Sequence, residues 1–254
     1  MTLHASLEDL ERIIGAATKI GSRWSENRSK LLIDEKSAGQ FASNADVEIE
    51  TFVRDQLAKC FPGQPVIGEE LGGDLGTDAT GWAIDPIDGT SNFVLGLPIW
   101  GISIGYIENG RSILGAIALP DLQLTLSAGD QQGLRINNTD ATKVRHISPV
   151  KILALGENDF ETGPETDARA QVFREEGYSV VRYRCAVFSL AMSAIGRLSG
   201  YVENGCGLWD IAAAEVICRE AGMRIQTSQV AAGRYAVDAR WAGAAALNSP
   251  QMRR

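Results

Sequence analysis

Trp82-Ala83-Ile84-Asp85-Pro86-Ile87-Asp88-Gly89-Thr90-Ser91-Asn92-Phe93 is the stretch on which the reading of this chain turns. The apolar run Trp82-Ala83-Ile84 predicts a short strand bounded by turn residues. Two aspartates follow, three residues apart, with Pro86 fixing the chain between them. Asp88-Gly89 alone is a common turn dipeptide, but a turn needs one aspartate at most. Two carboxylates facing inward from one rigid turn repel unless a cation joins them. Gly89-Thr90-Ser91-Asn92 then offers free backbone N–H groups and opens a short helix at Phe93. Beside a cation, such a helix start would seat a phosphate.

Other carboxylates also stand at expected strand and helix ends. Glu69 and Glu70 close the run Val66-Ile67-Gly68, Asp210 follows Trp209, and Asp46 lies three residues after Ser43. Each has an ordinary structural explanation. The glutamate pair could be a solvated strand end. Asp210 could be the N-cap of a helix over 211–221 ended by Gly222. Asp46 could be only the capping-box partner of Ser43. Asp85-Pro86-Ile87-Asp88 resists such an explanation. Oxygen ligands without histidines favour Mg²⁺ or a similar hard ion.

Composition narrows the rest. The chain has 254 residues, 44% apolar and 22% charged, close to ordinary globular usage. Its 24 Lys+Arg against 32 Asp+Glu give a net charge of −8, unsuited to a nucleic-acid backbone or an anionic membrane. The histidines are His4 and His146, so only His146 could serve a nucleophile–histidine unit, and a His-rich zinc site is excluded. Cys60, Cys185, Cys206 and Cys218 form no C-x-x-C motif and fit free thiols in a reducing cytoplasm. The N-terminus shows no signal-peptide pattern. Gly89 to Ile107 carries no charge for 19 residues, but its four glycines and Pro98 predict a turn, a short helix and a buried strand.

Periodicity predicts a helix over 6–30, capped by Ser6 and Asp9, and another over 43–60, capped by Ser43 and Asp46. Residues 31–42 between them read as a loop or hairpin able to move. Strands are expected over 65–70 and 81–84, then over 99–107, 112–119 and 122–128 as antiparallel hairpins. The polar stretch 137–145 is the expected boundary. It divides the chain into 1–145, an α+β half with the metal and phosphate site, and 146–254, an α/β half completing the substrate pocket. The second half reads as strands at 152–155, 180–183, 201–203, 223–226 and 244–247, with helices near 165–176, 187–198 and 209–221. The class is α+β, in packed layers.

These motifs carry a resemblance. Ile67-Gly68-Glu69-Glu70, the stretch from Trp82 to Phe93, and Trp209-Asp210-Ile211-Ala212-Ala213-Ala214 leading to Glu220-Ala221-Gly222 resemble the inositol monophosphatase family of Mg²⁺-dependent phosphatases. The resemblance extends from the first helix to Asn248. It implies a layered α-β-α-β-α sandwich and an enzyme that hydrolyses phosphomonoesters with two or three Mg²⁺ ions. The implied metal ligands are Glu69, Asp85, the Ile87 carbonyl, Asp88 and Asp210, with Glu70 holding metal-associated water. Asp46 and Thr90 would orient the water that attacks phosphorus in line. Gly89, Thr90 and Ser91 would bind the phosphate, Lys36 would lie in a mobile loop near it, and Glu203 would accept substrate hydroxyls. Lithium sensitivity, a homodimer and a cytoplasmic setting are further implications.

Arg184-Cys185-Ala186-Val187 stands where family members carry Gly-Ser/Thr-Ala-Ala, and the Lys36 loop is one residue shorter. Arg184 could face the substrate or be a structural arginine at a strand end. The expected partner is a small phosphate ester, with inositol 1-phosphate first. The alternatives are fructose 1,6-bisphosphate, a nucleotide 3′,5′-bisphosphate, histidinol phosphate, or a non-catalytic sugar-phosphate-binding regulator.

Overall fold

A computed structural model describes residues 6–37, 40–76, 78–141 and 150–241. The expected boundary at 145/146, both histidines and the strand expected at 244–247 lie outside the described residues. Helix α1 (Leu7–Glu26) starts where Ser6 Oγ accepts the Asp9 N–H at 3.1 Å. Leu7, Leu10, Ile13, Ile14 and Ala17 recur at helical spacing and form its buried stripe. The expected helix over 6–30 ends at Glu26, and a single 3₁₀ turn at Arg28–Lys30 follows. Strands β1 (Ile33–Ser37) and β2 (Gln40–Ser43) make a separate hairpin. Helix α2 (Asn44–Cys60) buries Ile49, Val53 and Leu57.

The main sheet follows. Its strands are β3 (Val66–Gly68), β4 (Gly81–Asp88), β5 (Gly101–Glu108), β6 (Arg111–Leu119), β7 (Leu124–Gly129), β8 (Gly133–Ile136) and β9 (Thr139–Asp140). They lie side by side in chain order. The β3–β4 pair is parallel and the others are antiparallel, those from β5 onward joined by short connections. Helix α3 (Thr90–Leu95) occupies the β4–β5 connection.

The second sheet takes its strands from the other half: β10 (Ile152–Leu155), β11 (Ser179–Val181), β12 (Gly200–Cys206), β13 (Arg224–Ala231) and β14 (Arg234–Arg240). Their order is β11-β10-β12-β14-β13. Helix α4 (Gly163–Glu175) packs on β11, while α5 (Ala186–Ala194) and α6 (Leu208–Glu220) touch strands of both sheets. With α1 and α2 on the main sheet, the layers run α-β-α-β-α.

Three further regions depart from expectation: β8 and β9 were not anticipated, and β9 carries the main sheet into the polar stretch read as a boundary; the other two are β4 and β14. Strand β4 does not stop at Ile84. It continues to Asp88 with a register shift, Asp85 opposite Ser103 and Asp88 opposite Gly101. The aspartates therefore sit on a bulged strand end rather than a free turn. Pro86 has no N–H to give the ladder, which suits a bulge. Strand β14 went unanticipated because Arg234, Asp238 and Arg240 mask its pattern. Arg240 turns back along the strand and forms a two-pronged pair with Asp238.

Helix α6 is seated unusually low. A Cβ at Gly105 would lie 2.6 Å from the Ala213 nitrogen, and one at Gly115 only 2.4 Å from the Ala213 oxygen. Bare glycines on β5 and β6 meet Ala212 and Ala213, so helix and sheet backbones touch. Ser103 Oγ donates to the Trp209 carbonyl at 3.1 Å and fixes the first turn of α6 beside the end of β4. Gly105→Ala should therefore lower unfolding free energy by about 1–3 kcal/mol, the usual cost of overpacking. Urea denaturation checks this, and an unchanged midpoint would show that α6 can lift without cost.

Candidate active site

A cavity of about 470 Å³ opens where β4, the loop before α5, β12 and the start of α6 converge. Lys36, Glu69, Ile87, Asp88, Gly89, Thr90, Ser91, Arg184, Glu203 and Asp210 all line it. Asp46, Glu70 and Asp85 do not line the cavity; Asp46 and Asp85 are buried.

Local structure places each carboxylate. The β4 bulge turns Asp85 inward, where it is 1% exposed. One of its oxygens accepts the Ile87 N–H at 3.1 Å, and Oδ2 has no hydrogen-bond partner among the described residues. Asp88 reaches the start of α5, where Oδ2 accepts the Val187 N–H and the Cys185 thiol. Asp210 is not the N-cap of α6. It occupies the third helical position and accepts the N–H of the cap residue Gly207 at 2.7 Å. Glu69 and Glu70 share the Lys36 ammonium, which stands 3.1 Å from Glu69.

Asp46 serves two purposes at once. Its Oδ2 closes the α2 capping box on Ser43, while Oδ1 lies 3.4 Å from the Thr90 hydroxyl. That hydroxyl is also 3.0 Å from the Ile87 carbonyl, so its single proton has two acceptors. Gly89, at φ +82°, bends the chain into α3, and a Cβ there would lie 2.9 Å from the Ile99 carbonyl. Glu203 is 6% exposed, with Asn158 donating to one oxygen at 2.9 Å and Tyr201 to the other. Arg184 is exposed on the cavity wall at φ +53°, a left-handed conformation that favours glycine.

Burial and mutual repulsion keep these acids reluctant to ionise. Burial, then Glu69, Asp88 and Asp210, hold Asp85 well above the usual carboxylate range. Burial, then Asp88 and Glu69, do the same to Asp210. Burial pushes Asp88 up to about 6 against the pull of the Val187 N–H. It pushes Asp46 up to about 7, with Glu70 and Glu69 adding to it, and Glu203 also to about 7. Burial works against the Lys36 charge, but Glu69 and Glu70 outweigh it and raise its pKa.

The donor chemistry fits Mg²⁺. The groups are hard carboxylate oxygens, one of them a buried oxygen with no hydrogen-bond partner, and together they hold more negative charge than nearby cations offset. Among the described residues no three acidic, cysteine or histidine groups already stand as a ready-made metal site. Asp88 is turned toward α5 and Asp210 toward Gly207, so the fit is one of charge and donor type.

Two participants escaped sequence reasoning. Cys185 caps α5, accepts the Phe188 N–H at 3.3 Å and donates its S–H hydrogen bond to Asp88. Burial and the Asp88 charge push its thiol well up, so it remains a neutral donor. Its position just before a predicted helix was the available signal. Asn158 holds Glu203 across 45 residues of chain, and nothing local announces that contact.

The chain matches the model of the inositol monophosphatase family over residues 6–251. Inositol-1-monophosphatase SuhB of Mycobacterium tuberculosis is 34% identical over 201 residues, 74% of this chain and 69% of that protein. A histidinol-phosphatase of the same organism is 30% identical over 209 residues, 80% of each chain. The solved structure of an inositol monophosphatase from Thermotoga maritima superposes with a TM-score of 0.76 at 26% identity, covering 91% of this chain and 92% of that one.

The raised carboxyls predict a signed pH dependence. Unfolded carboxyls titrate near roughly 4, whereas Asp88 and Asp46 reach about 6 and about 7 when folded. Between those values the folded state binds more protons, so metal-free stability falls as pH rises through the window. In EDTA, Tm should drop from pH 5 to pH 8, and Mg²⁺ should restore it at pH 8. Asp85→Asn should flatten the drop and shrink the Mg²⁺ shift. Scanning calorimetry checks both, and a wild-type Tm indifferent to Mg²⁺ at pH 8 would contradict the charge-cluster account.

Proposed function

The chain belongs to the inositol monophosphatase family, and from that premise we propose a Mg²⁺-dependent phosphomonoester hydrolase acting on a small polyol or sugar phosphate, inositol 1-phosphate first. One observation carries this reading. A single cavity brings Glu69, Asp88 and Asp210, the Gly89-Thr90-Ser91 turn, and Glu203 to one place. We propose that residues 1–145 supply Glu69, Asp85, the Ile87 carbonyl and Asp88, and that residues 146–254 supply Asp210, Glu203 and Arg184.

Bound by these carboxylates, with Glu70 holding associated water, Mg²⁺ would neutralise the phosphate and lower the pKa of water. The chain's own groups do the positioning. The first-turn N–H groups of α3 lack intrahelical partners and suit the phosphate oxygens. Thr90, donating its hydroxyl hydrogen bond to Asp46, leaves its oxygen lone pairs to accept from a water and aim it at phosphorus. Lys36 on the β1–β2 hairpin adds positive charge at the cavity mouth. Glu203, fixed by Asn158 and Tyr201, accepts substrate hydroxyls. Four free cysteines agree with a cytoplasmic setting, no described helix is long and apolar enough to cross a membrane, and a homodimer with lithium sensitivity follows the family.

Arg184 favours a second reading of substrate choice. An arginine exposed on the cavity wall suits a second phosphate or a carboxylate, as in fructose 1,6-bisphosphate or a nucleotide bisphosphate. A non-catalytic sugar-phosphate-binding regulator would keep the cavity and lose turnover.

A phosphate-release screen over inositol, sugar, nucleotide and histidinol phosphates, with Mg²⁺ and with EDTA, tests the reading. Asp88→Asn and Asp210→Asn should each lower kcat by about two orders of magnitude or more. Full turnover in EDTA, or near-wild-type kcat in either folded variant, would refute the metal-dependent reading.

Substrate reading is separable from chemistry. A hydrogen bond to a charged group is worth roughly 1.5–3 kcal/mol. Glu203→Gln should therefore cost about 10- to 100-fold in kcat/KM for a polyol phosphate and much less for an aromatic phosphate. Arg184→Ala should weaken a bisphosphate selectively. Equal proportional losses on all three substrates would show that neither residue reads the substrate.

A further inference from the structure

Glu50 lies one helical turn beyond Asp46 on α2, and Arg54 one turn beyond Glu50. Glu50 is completely buried, yet it lines no part of the cavity. Burying a carboxylate is costly unless every lone pair is engaged. Here the engagement is dense and directed. Oε2 accepts the Glu70 N–H at 2.9 Å, and the Leu71 N–H lies 3.3 Å from both oxygens. Oε1 accepts from Arg54 Nε at 2.8 Å and faces its Nη2 at 2.7 Å.

The contacts extend to the whole segment that presents Glu69. Arg54 also reaches the carbonyls of Val66, at 3.5 Å, and Gly72. A Cβ on Gly68 would lie 2.1 Å from Glu50 Oε1, so the turn can close on the carboxylate only with glycine there. The Gly68 N–H bonds the Gly72 carbonyl at 2.9 Å, and the Glu69 N–H bonds the Ile84 carbonyl of β4 at 3.2 Å. The Glu69 backbone is thus held on one side by the strand that carries Asp85. On the other side it is held by a buried anion that takes the next two N–H groups.

Electrostatics makes this an odd choice for a mere fastener. A third carboxylate beside Glu69 and Glu70 adds like charge to a crowded acidic region, and a neutral side chain could accept the same N–H groups. What a carboxylate adds is strength and geometry. It takes charge-assisted bonds on both oxygens, and a planar guanidinium fork aligns it.

We propose that Glu50, clamped by Arg54, is a positioning residue that fixes the 69–71 turn so that Glu69 is delivered beside Asp85. It touches neither substrate nor ion, and its role rests on the metal-dependent reading above. It acts as outer partners of ligating carboxylates do: it sets ligand direction before the ion arrives, so its loss weakens ion binding more than it weakens the fold.

The test is Mg²⁺ binding to the full chain by isothermal titration calorimetry, with Tm in EDTA and kcat at saturating Mg²⁺ alongside. Glu50→Gln should weaken Mg²⁺ by about 10- to 100-fold, and saturating Mg²⁺ should recover most of kcat. Ile49→Ala, on the same helix but facing the core, should lower Tm and leave the Mg²⁺ Kd within about twofold. Should Glu50→Gln fail to fold, Arg54→Lys carries the test. It keeps the charge but loses the fork, and should weaken Mg²⁺ by about fivefold or more. Unchanged Mg²⁺ affinity in a folded Glu50→Gln or Arg54→Lys protein, or an equal loss in Ile49→Ala, overturns the proposal alone. A wild-type chain that binds no Mg²⁺ overturns the metal-dependent reading together with it.

Discussion

Repulsion among carboxylates held together at the end of the main sheet is the constraint around which the structure is arranged. Asp85 is almost fully buried, and its charge is opposed by Glu69, Asp88 and Asp210 as well as by burial itself. Folding the chain without a cation forces acidic groups into the proximity that electrostatics resists most. The surroundings show how that proximity is tolerated. Backbone N–H groups, a thiol and Lys36 take up much of the negative charge at the rim, while the inner Asp85 oxygen is left with no partner among the described residues. On the metal-dependent reading proposed above, a divalent ion would turn this unfavourable cluster into a favourable one and so couple ion binding to folding.

Much of this was legible because local chemistry wrote it. Asp85 and Asp88 flank a proline that interrupts a strand ladder, and no ordinary turn demands both. The side-chain cap at Ser6 and the full capping box at Ser43 were readable because a cap is a matter of three-residue spacing. The layered α+β class followed from hairpin signals in one half and alternating strands and helices in the other. The carboxylates at 69, 85, 88 and 210 were singled out by their places at element ends, and the structure sets Glu69, Asp88 and Asp210 in the wall of one cavity with Asp85 close behind.

The rest was hidden because it depends on contacts between distant segments. Asn158 grips Glu203, and the Cys185 thiol donates a hydrogen bond to Asp88 across 97 residues of sequence. Glu50 carries no local signal on α2, since its value lies in which N–H groups fold onto it. Strand β14 was obscured for a related reason. Arg240 pairs with Asp238 along the strand, and Arg234 with Asp159 off it, so the charges tolerate a position between two other strands, where charge would ordinarily argue against a strand. The structural alternative of Asp210 as an N-cap was off by three positions, because Gly207, which has no side chain to betray a cap, begins the helix.

The low seat of α6 has a consequence for the descent of this chain. Gly105, Gly115 and the alanines at 212 and 213 share one gap between helix and sheet, and none has spare volume. Growth at any of them displaces the helix that carries Asp210. These positions therefore have a joint limit rather than separate ones. Lineages that alter this seat should do so by paired exchange, a larger residue on one surface accompanied by a smaller one opposite, with single enlargements filtered out before the acidic residues themselves ever change.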